Sequence, residues 1–180
     1  FVRSDHFRCF EAYWQIPYGE ETAINGQWVK GPNIALFNEI AKQLGDLPVI
    51  AEDLGVITDE VAKLRDDAGL PGMKVLQFAF DPNEAGSQGM VNAFLPHMYG
   101  KHSVVYTGTH DNDTMQGCLN SANDASVKLA AEYAFHRPMS EGEARELSNN
   151  GQLCRALLHT ALSSTADYAV IPMQDILGLG

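Results

Sequence analysis

Positive charge is scarce in this sequence: its 180 residues carry 12 Lys and Arg against 23 Asp and Glu, a formal net charge of -11. The few cations are scattered. That argues against nucleic acid as a partner, because phosphate binding needs a concentrated basic patch. Long apolar runs are missing too, and none approaches the roughly 20 residues that a transmembrane helix needs, which sets a membrane aside. Cysteine is nearly absent. Cys9, Cys118 and Cys154 are odd in number, far apart and without C-x-x-C spacing, a pattern of reduced packing thiols in a cytosol-like compartment rather than a disulfide framework or a zinc site. No signal peptide is visible. Neither G-x-G-x-x-G nor G-x-x-x-x-G-K-[ST] occurs, so the phosphate-binding first turn of a doubly wound sheet is lacking.

What is present is an ordinary globular balance, 45% apolar and 19% charged, with β-rich apolar runs alternating with helical patterns. Both ends read as cut. The first residue is Phe1 rather than a methionine, and the chain stops soon after a buried-looking strand, in "VIPMQDILGLG". Strands are expected at Phe1 to Ser4, Leu47 to Ala51, Met73 to Ala79, Ser103 to Thr107 and Tyr168 to Pro172, most of them continuous apolar runs as in strands buried on both faces. Between them, Ile34, Phe37, Ile40, Ala41 and Leu44 keep helical spacing up to Gly45, and Val61, Leu64 and Ala68 form a second stripe behind Thr58, a candidate N-cap. A third helix is expected over about 88–99. A longer helical stretch follows the fourth strand, with Ser140 and Glu143 at capping-box spacing and an amphipathic run from Leu153 to Ser163. The order β-α-β-α-β-α-β-α-β implies parallel strands joined by right-handed crossovers, and without a glycine-rich first turn part of a (β/α)8 barrel fits better than an open sheet.

In a barrel the chemistry sits at the carboxyl ends of the strands. Here the acids after the five runs are Asp5, Glu52, Asp81, Asp111 and Asp175. Any one of them also reads as a turn former or helix cap. Five converging on one rim point to a division between a protonated and an ionised carboxyl, which is what glycoside chemistry requires. Arg3 lies two residues from Asp5, on the same face of the strand, where its guanidinium can hold Asp5 ionised. Glu52 follows an apolar strand that should leave it partly desolvated, as suits a general acid. His110, Asp111 and Asp113 cluster in "YTGTHDNDT", where a metal is the rival reading, but no helical His pair supports it. Phe7, Phe10, Tyr13, Trp14, Tyr18 and Trp28 follow the first strand in a long loop, fit either to cover a barrel rim or to stack on sugar rings.

The segments "RSDHFRCFEAYWQIP", "VIAEDLG", "GMKVLQFAF", "YTGTHDNDT" and "IPMQDILGLG" together resemble the 4-alpha-glucanotransferases known as amylomaltases or disproportionating enzymes, relatives of the alpha-amylase superfamily. The resemblance runs in order along nearly the whole chain. It implies an α/β fold, a partial (β/α)8 TIM barrel in which residues 1–180 supply parallel strands 4 to 8 with their helices, the C-terminal part of a catalytic barrel truncated at both ends. It implies Asp5 as the nucleophile of a covalent glucosyl-enzyme, Arg3 as its orienting arginine, Glu52 as the general acid/base, Asp111 as a third carboxylate that binds sugar hydroxyls and helps distort the ring, and His110 as a hydroxyl ligand beside it. Ser4 and Cys9 depart from the family's more usual isoleucine and glycine. The implied partners are alpha-1,4-glucans and maltooligosaccharides, with no cofactor and no metal, in a cytoplasm or alternatively a plastid. The competing readings are an alpha-glucan hydrolase with the same carboxylates and an inactive fragment. Oligomeric state is not legible.

Overall fold

The computed structural model of the chain describes residues 1–80 and 92–180. It falls into two units, Phe1–Met73 and Lys74–Gly180. Asp81 and residues 88–91 of the expected third helix lie outside the described residues.

In the first unit the opening apolar run forms β1 (Val2–Ser4) and turns at once into a 3-10 turn, Phe7–Phe10. The aromatic stretch that follows is an antiparallel hairpin, β2 (Ala12–Gln15) and β3 (Gln27–Lys30), rather than the irregular loop expected. Trp14 and Trp28 are paired across it, with ring centroids 5.4 Å apart. Gly26 permits that packing, since a Cβ there would lie 2.3 Å from the Trp14 indole. Tyr13, Trp14, Tyr18 and Trp28 remain exposed. Phe7 and Phe10 do not belong with them: they pack with Phe37 as a ring cluster in the core that also holds Ala51, Val61, Leu64 and Leu70.

Helix α1 (Ile34–Leu44) runs from an Asn33 cap to Gly45, whose φ of 75° ends it as expected. It leads into β4 (Val49–Ala51), which lies parallel to β1 with Val2 opposite Val49, Arg3 opposite Ile50 and Ser4 opposite Ala51. Helix α2 (Asp59–Asp67) follows Thr58, which stands at the N-cap but makes no side-chain cap bond. Beyond Gly69 the chain enters β5 (Gly72–Val75), where Gly72 pairs in parallel with Ala51 of β4.

The second unit takes over within β5. The run expected as strand up to Ala79 is strand only to Val75, and Leu76–Phe80 is a 3-10 turn. Leu76, Ala79 and Phe80 are buried in the second core, so the run stays largely apolar past the strand, with Gln77 its one polar residue after Lys74, and its period does not show where strand becomes turn. After residue 92 the expected helix is only a 3-10 turn, Pro96–Met98. The buried Asn92 side chain bonds Phe78 O, Ala79 O and Phe94 N, which fixes the chain in a different path.

Strand β6 (Ser103–Tyr106) pairs in parallel with β7 (Tyr168–Val170). Four helices connect them: α3 (Met115–Ser121), α4 (Asp124–Phe135), α5 (Glu141–Asn149) and α6 (Gln152–Leu162), before the short α7 (Met173–Ile176). Met115, Leu119, Val127, Ala144, Leu153 and Leu157 supply the apolar faces they share, with Val105 of β6. Ser140 caps α5 through Glu143 N, but Glu143 reaches Arg137 instead of closing the capping box. The five strands foreseen are all present in shortened form, and the observed pairings among β1, β4 and β5 and between β6 and β7 are parallel.

Candidate active site

Asp5 stands one residue beyond β1. Alternation of side chains brings Arg3 to the same side, and Arg3 Nη1 donates to Asp5 Oδ1 at 2.8 Å. The Asp5 side chain is 76% exposed and that of Arg3 30%, so the acid faces the open end of the strand while its partner stands lower.

Glu52 occupies the matching place beyond β4. Extending the β1–β4 register by one step sets Asp5 beside Glu52, and the backbone continues the pairing: Glu52 N donates to Ser4 O at 3.0 Å and Phe7 N donates to Glu52 O at 3.0 Å. The half-buried Glu52 carboxyl accepts two main-chain donors, His6 N at 2.7 Å on Oε2 and Leu54 N at 2.9 Å on Oε1. His6 reaches it because its backbone is left-handed, with φ 46°, an uncommon state for a residue with a Cβ and one that concentrates at functional turns. A carboxyl group has about four lone-pair directions, so these two donors do not fill it.

Behind this pair lies an acid that sequence reasoning passed over. The Asp53 side chain is 5% exposed and accepts Arg65 Nη1 at 2.6 Å and Met73 N at 2.7 Å, joining the chain after Glu52 to α2 and β5. Gly72 makes room for it: a Cβ there would sit 2.5 Å from Asp53 Oδ2. Burial alone would lower the Arg65 pKa, but the bonds and charges of Asp53 and Asp66 outweigh it and hold the guanidinium above its ordinary value. The glycine that opens the next strand, two residues after "GL" of α2's end, was the signal in the sequence that such a side chain fits there.

On the other side of the turn after Asp5, Arg8 donates to Val56 O and stacks its guanidinium 4.6 Å from the Trp28 ring. The hairpin is thereby fastened to the segment after Glu52. Burial, and secondarily the Asp5 charge, pushes the Cys9 thiol up, so this cysteine is a poor nucleophile.

In the second unit, His110 and Asp111 stand together on the loop after β6, with His110 Nε2 3.3 Å from Asp111 Oδ2 and side chains 67% and 80% exposed. The loop is folded by its own side chains. Asn112 Oδ1 accepts both Thr109 N and Thr109 Oγ1 at 2.9 Å, and Gln77 Nε2 donates to Asp113 O at 2.8 Å. Asp175 is not a rim acid. It is 2% exposed and accepts Thr107 Oγ1 and, at 2.7 Å, Met115 N, because α7 turns its side chain inward against α3. Thus Arg3, Asp5 and Glu52 come together in the first unit, His110 and Asp111 in the second, and Asp175 leaves the set of exposed acids. Among the described residues no group of three or more His, Cys, Asp and Glu side chains is arranged to hold a metal ion, and no helix is long and apolar enough to cross a membrane.

The whole chain, residues 1–180, matches the family model described as 4-alpha-glucanotransferase. It is 50% identical over 181 residues to a 4-alpha-glucanotransferase of Thermus thermophilus, covering 99% of this chain and 34% of the relative. It is 42% identical to a chloroplastic/amyloplastic 4-alpha-glucanotransferase of Arabidopsis thaliana, covering 99% of this chain and 28% of the relative. Among solved structures it resembles an amylomaltase from Streptococcus agalactiae in complex with acarbose, with a TM-score of 0.80 and 31% identity over 99% of this chain and 33% of that one. The chain spans about a third of the length of the relatives it matches.

Proposed function

The chain belongs to the 4-alpha-glucanotransferase family, and on that premise we propose that it carries the catalytic carboxylates of a retaining transglycosylase acting on alpha-1,4-glucans. The observation that carries this reading is the pairing of Asp5 and Glu52 at the ends of neighbouring parallel strands, with His6 N bonded to Glu52 Oε2. Neighbouring strands run about 4.8 Å apart. Two carboxyls on adjacent, in-register strand ends suit the separation of about 5 to 5.5 Å used by retaining enzymes, where the inverting class needs about 6.5 to 9.5 Å to admit a water.

In the first half-reaction an oxygen of Asp5 attacks the anomeric carbon of the donor glucan. The bond from that carbon to the glycosidic oxygen breaks, and Glu52 gives its proton to the departing 4-oxygen. The donor is left as a glucosyl ester of Asp5. Arg3, bonded to Oδ1, leaves Oδ2 for the attack and keeps the carboxylate oriented. In the second half-reaction Glu52, now ionised, takes the proton from the 4-hydroxyl of an acceptor sugar. That oxygen bonds to the anomeric carbon and Asp5 is released as carboxylate. Asp111 and His110, both exposed, have the acceptors and donors to bind sugar hydroxyls of the substrate.

The chain would supply strands 4 to 8 of the (β/α)8 barrel. Its place is a bacterial-type cytoplasm, with a plastid as the alternative that the Arabidopsis relative supports. The test uses the complete parent protein with maltotriose, following glucose and longer maltodextrins. A ladder of longer products that disappears in Asp5→Asn supports transfer through Asp5. Rising reducing ends with no product longer than the substrate would mean hydrolysis and overturn it.

A further inference from the structure

We propose that Asp175 is a positioning residue for Asp111, clamping both ends of the loop that carries it. The inference rests on the reading of Asp111 as a substrate-binding carboxylate. Thr107 and Met115 are the residues at the two ends of the loop 108–114, the first just beyond β6 and the second opening α3. One carboxylate joins them, Oδ2 to Thr107 Oγ1 and Oδ1 to Met115 N.

All three are buried, with Thr107 0%, Met115 2% and Asp175 2% exposed. Placing a carboxylate there costs desolvation that an apolar side chain of the same volume would avoid, so mere packing does not account for it. What an acid offers is two acceptor oxygens on one rigid plane, enough to fix the spacing between the loop's ends.

Between those ends the loop has few apolar contacts to hold it. His110 and Asp111 are exposed, and the ties within the loop are hydrogen bonds that include Gln77 to Asp113 O, Asn112 to Thr109, Asp111 N to Thr109 Oγ1 and Thr114 N to Asp113 Oδ1. Gln77 itself is fitted tightly, since a Cβ on Gly108 would lie 2.6 Å from its Nε2. Side chains that must meet sugar hydroxyls to within about 1 Å therefore depend on the spacing that Asp175 sets.

The experiment is a double-variant cycle in the complete parent protein, measuring kcat and KM for maltotriose disproportionation, with circular dichroism to confirm folding. Asp175→Ala is expected to lower kcat/KM about 100-fold and Thr107→Val about 10-fold, while Thr107→Ser, which keeps the hydroxyl, stays within about two-fold of the parent. In combination with Asp111→Asn, neither Asp175→Ala nor Thr107→Val should lower activity further, because the group being positioned is already disabled. If Asp175→Ala does not fold, Thr107→Val carries the same cycle. Multiplicative losses with Asp111→Asn, or a Thr107→Ser variant as impaired as Thr107→Val, would overturn the clamp. Full activity in Asp111→Asn alone would overturn the site reading and the inference with it, a result distinct from the multiplicative one.

Discussion

Replacing Asp53 by asparagine tests whether a buried ion pair beneath Glu52 holds the site segment in place. Asn keeps the volume and one acceptor for Met73 N, but sets an uncharged group against Arg65. Breaking a fully buried pair by removing one partner costs about 3 to 5 kcal/mol. Here Arg65 is 23% exposed and retains Asp66 at 2.7 Å, so part of its charge stays compensated. The expected cost is accordingly about 2 to 3 kcal/mol, or roughly a 30- to 160-fold change in a local opening equilibrium. Because the bonds of Asp53 are local, the loss should appear as faster amide hydrogen exchange in the complete protein, confined to segments 52–57 and 72–75. Peptide-resolved mass spectrometry reads both segments. Exchange changed by less than about three-fold at Met73 would refute the reasoning, since the Met73 N–H is the donor that the carboxylate holds directly.

Three further outcomes follow from the same contacts. Phe7→Ala removes a ring that is 0% exposed and packed against Phe10 and Phe37, and should destabilise the complete protein by about 3 to 5 kcal/mol in urea denaturation, whereas Tyr18→Ala, fully exposed, should change nothing. Glu52→Gln should abolish transfer from maltotriose yet leave formation of the glucosyl-enzyme from alpha-glucosyl fluoride measurable by rapid quench, because fluoride departs without a proton; equal loss with both donors would count against Glu52 as the acid. The bond from Arg137 holds the Glu143 carboxyl below its ordinary value of 4.5, so this pair's stabilisation is present above that pH and fades as pH falls through the depressed folded value. The difference in thermal midpoint between the parent and Arg137→Gln should therefore be constant from neutral pH down to about pH 5, close above the ordinary Glu value, should shrink as pH falls below that value, and should shrink in high salt.

The strands were legible because their apolar runs are short and bounded, and α1 was legible to the residue because Gly45 supplies a conformation that only glycine adopts easily. The hairpin β2–β3 was not, since its pairing joins Ala12 through Gln15 to Gln27 through Lys30 over a connection too long to read as a two-residue turn. Nor was the end of β5. The 3-10 turn that follows, with Leu76, Ala79 and Phe80 buried in the second core, keeps much of the apolar character of the strand before it. Periodicity placed Arg3 on the same side as Asp5, and the 2.8 Å contact follows from it. The two donors on Glu52 could not be foreseen, because one comes from a left-handed residue 46 positions away.

The acids divide in a way that the sequence does not display. Asp5 and Asp111 are exposed and Glu52 is half-buried, whereas Asp53 and Asp175 are buried and fully engaged with main-chain and side-chain donors. All five stand within a few residues of an apolar run, so position along the chain gives them the same signature. What separates them is the chemistry of their partners. Asp5 accepts from Arg3 and stays open to solvent, Asp53 and Asp175 spend both oxygens on protein donors, and Glu52, half-buried with a main-chain donor on each oxygen, stands between the two kinds. A buried acid of this second kind is most useful next to a loop that has little apolar surface of its own, because hydrogen bonds are then what remains to fix it. Substitution should reveal the difference: removing an exposed acid disables chemistry while leaving exchange protection intact, and removing a buried one loosens its segment first and loses activity as a consequence.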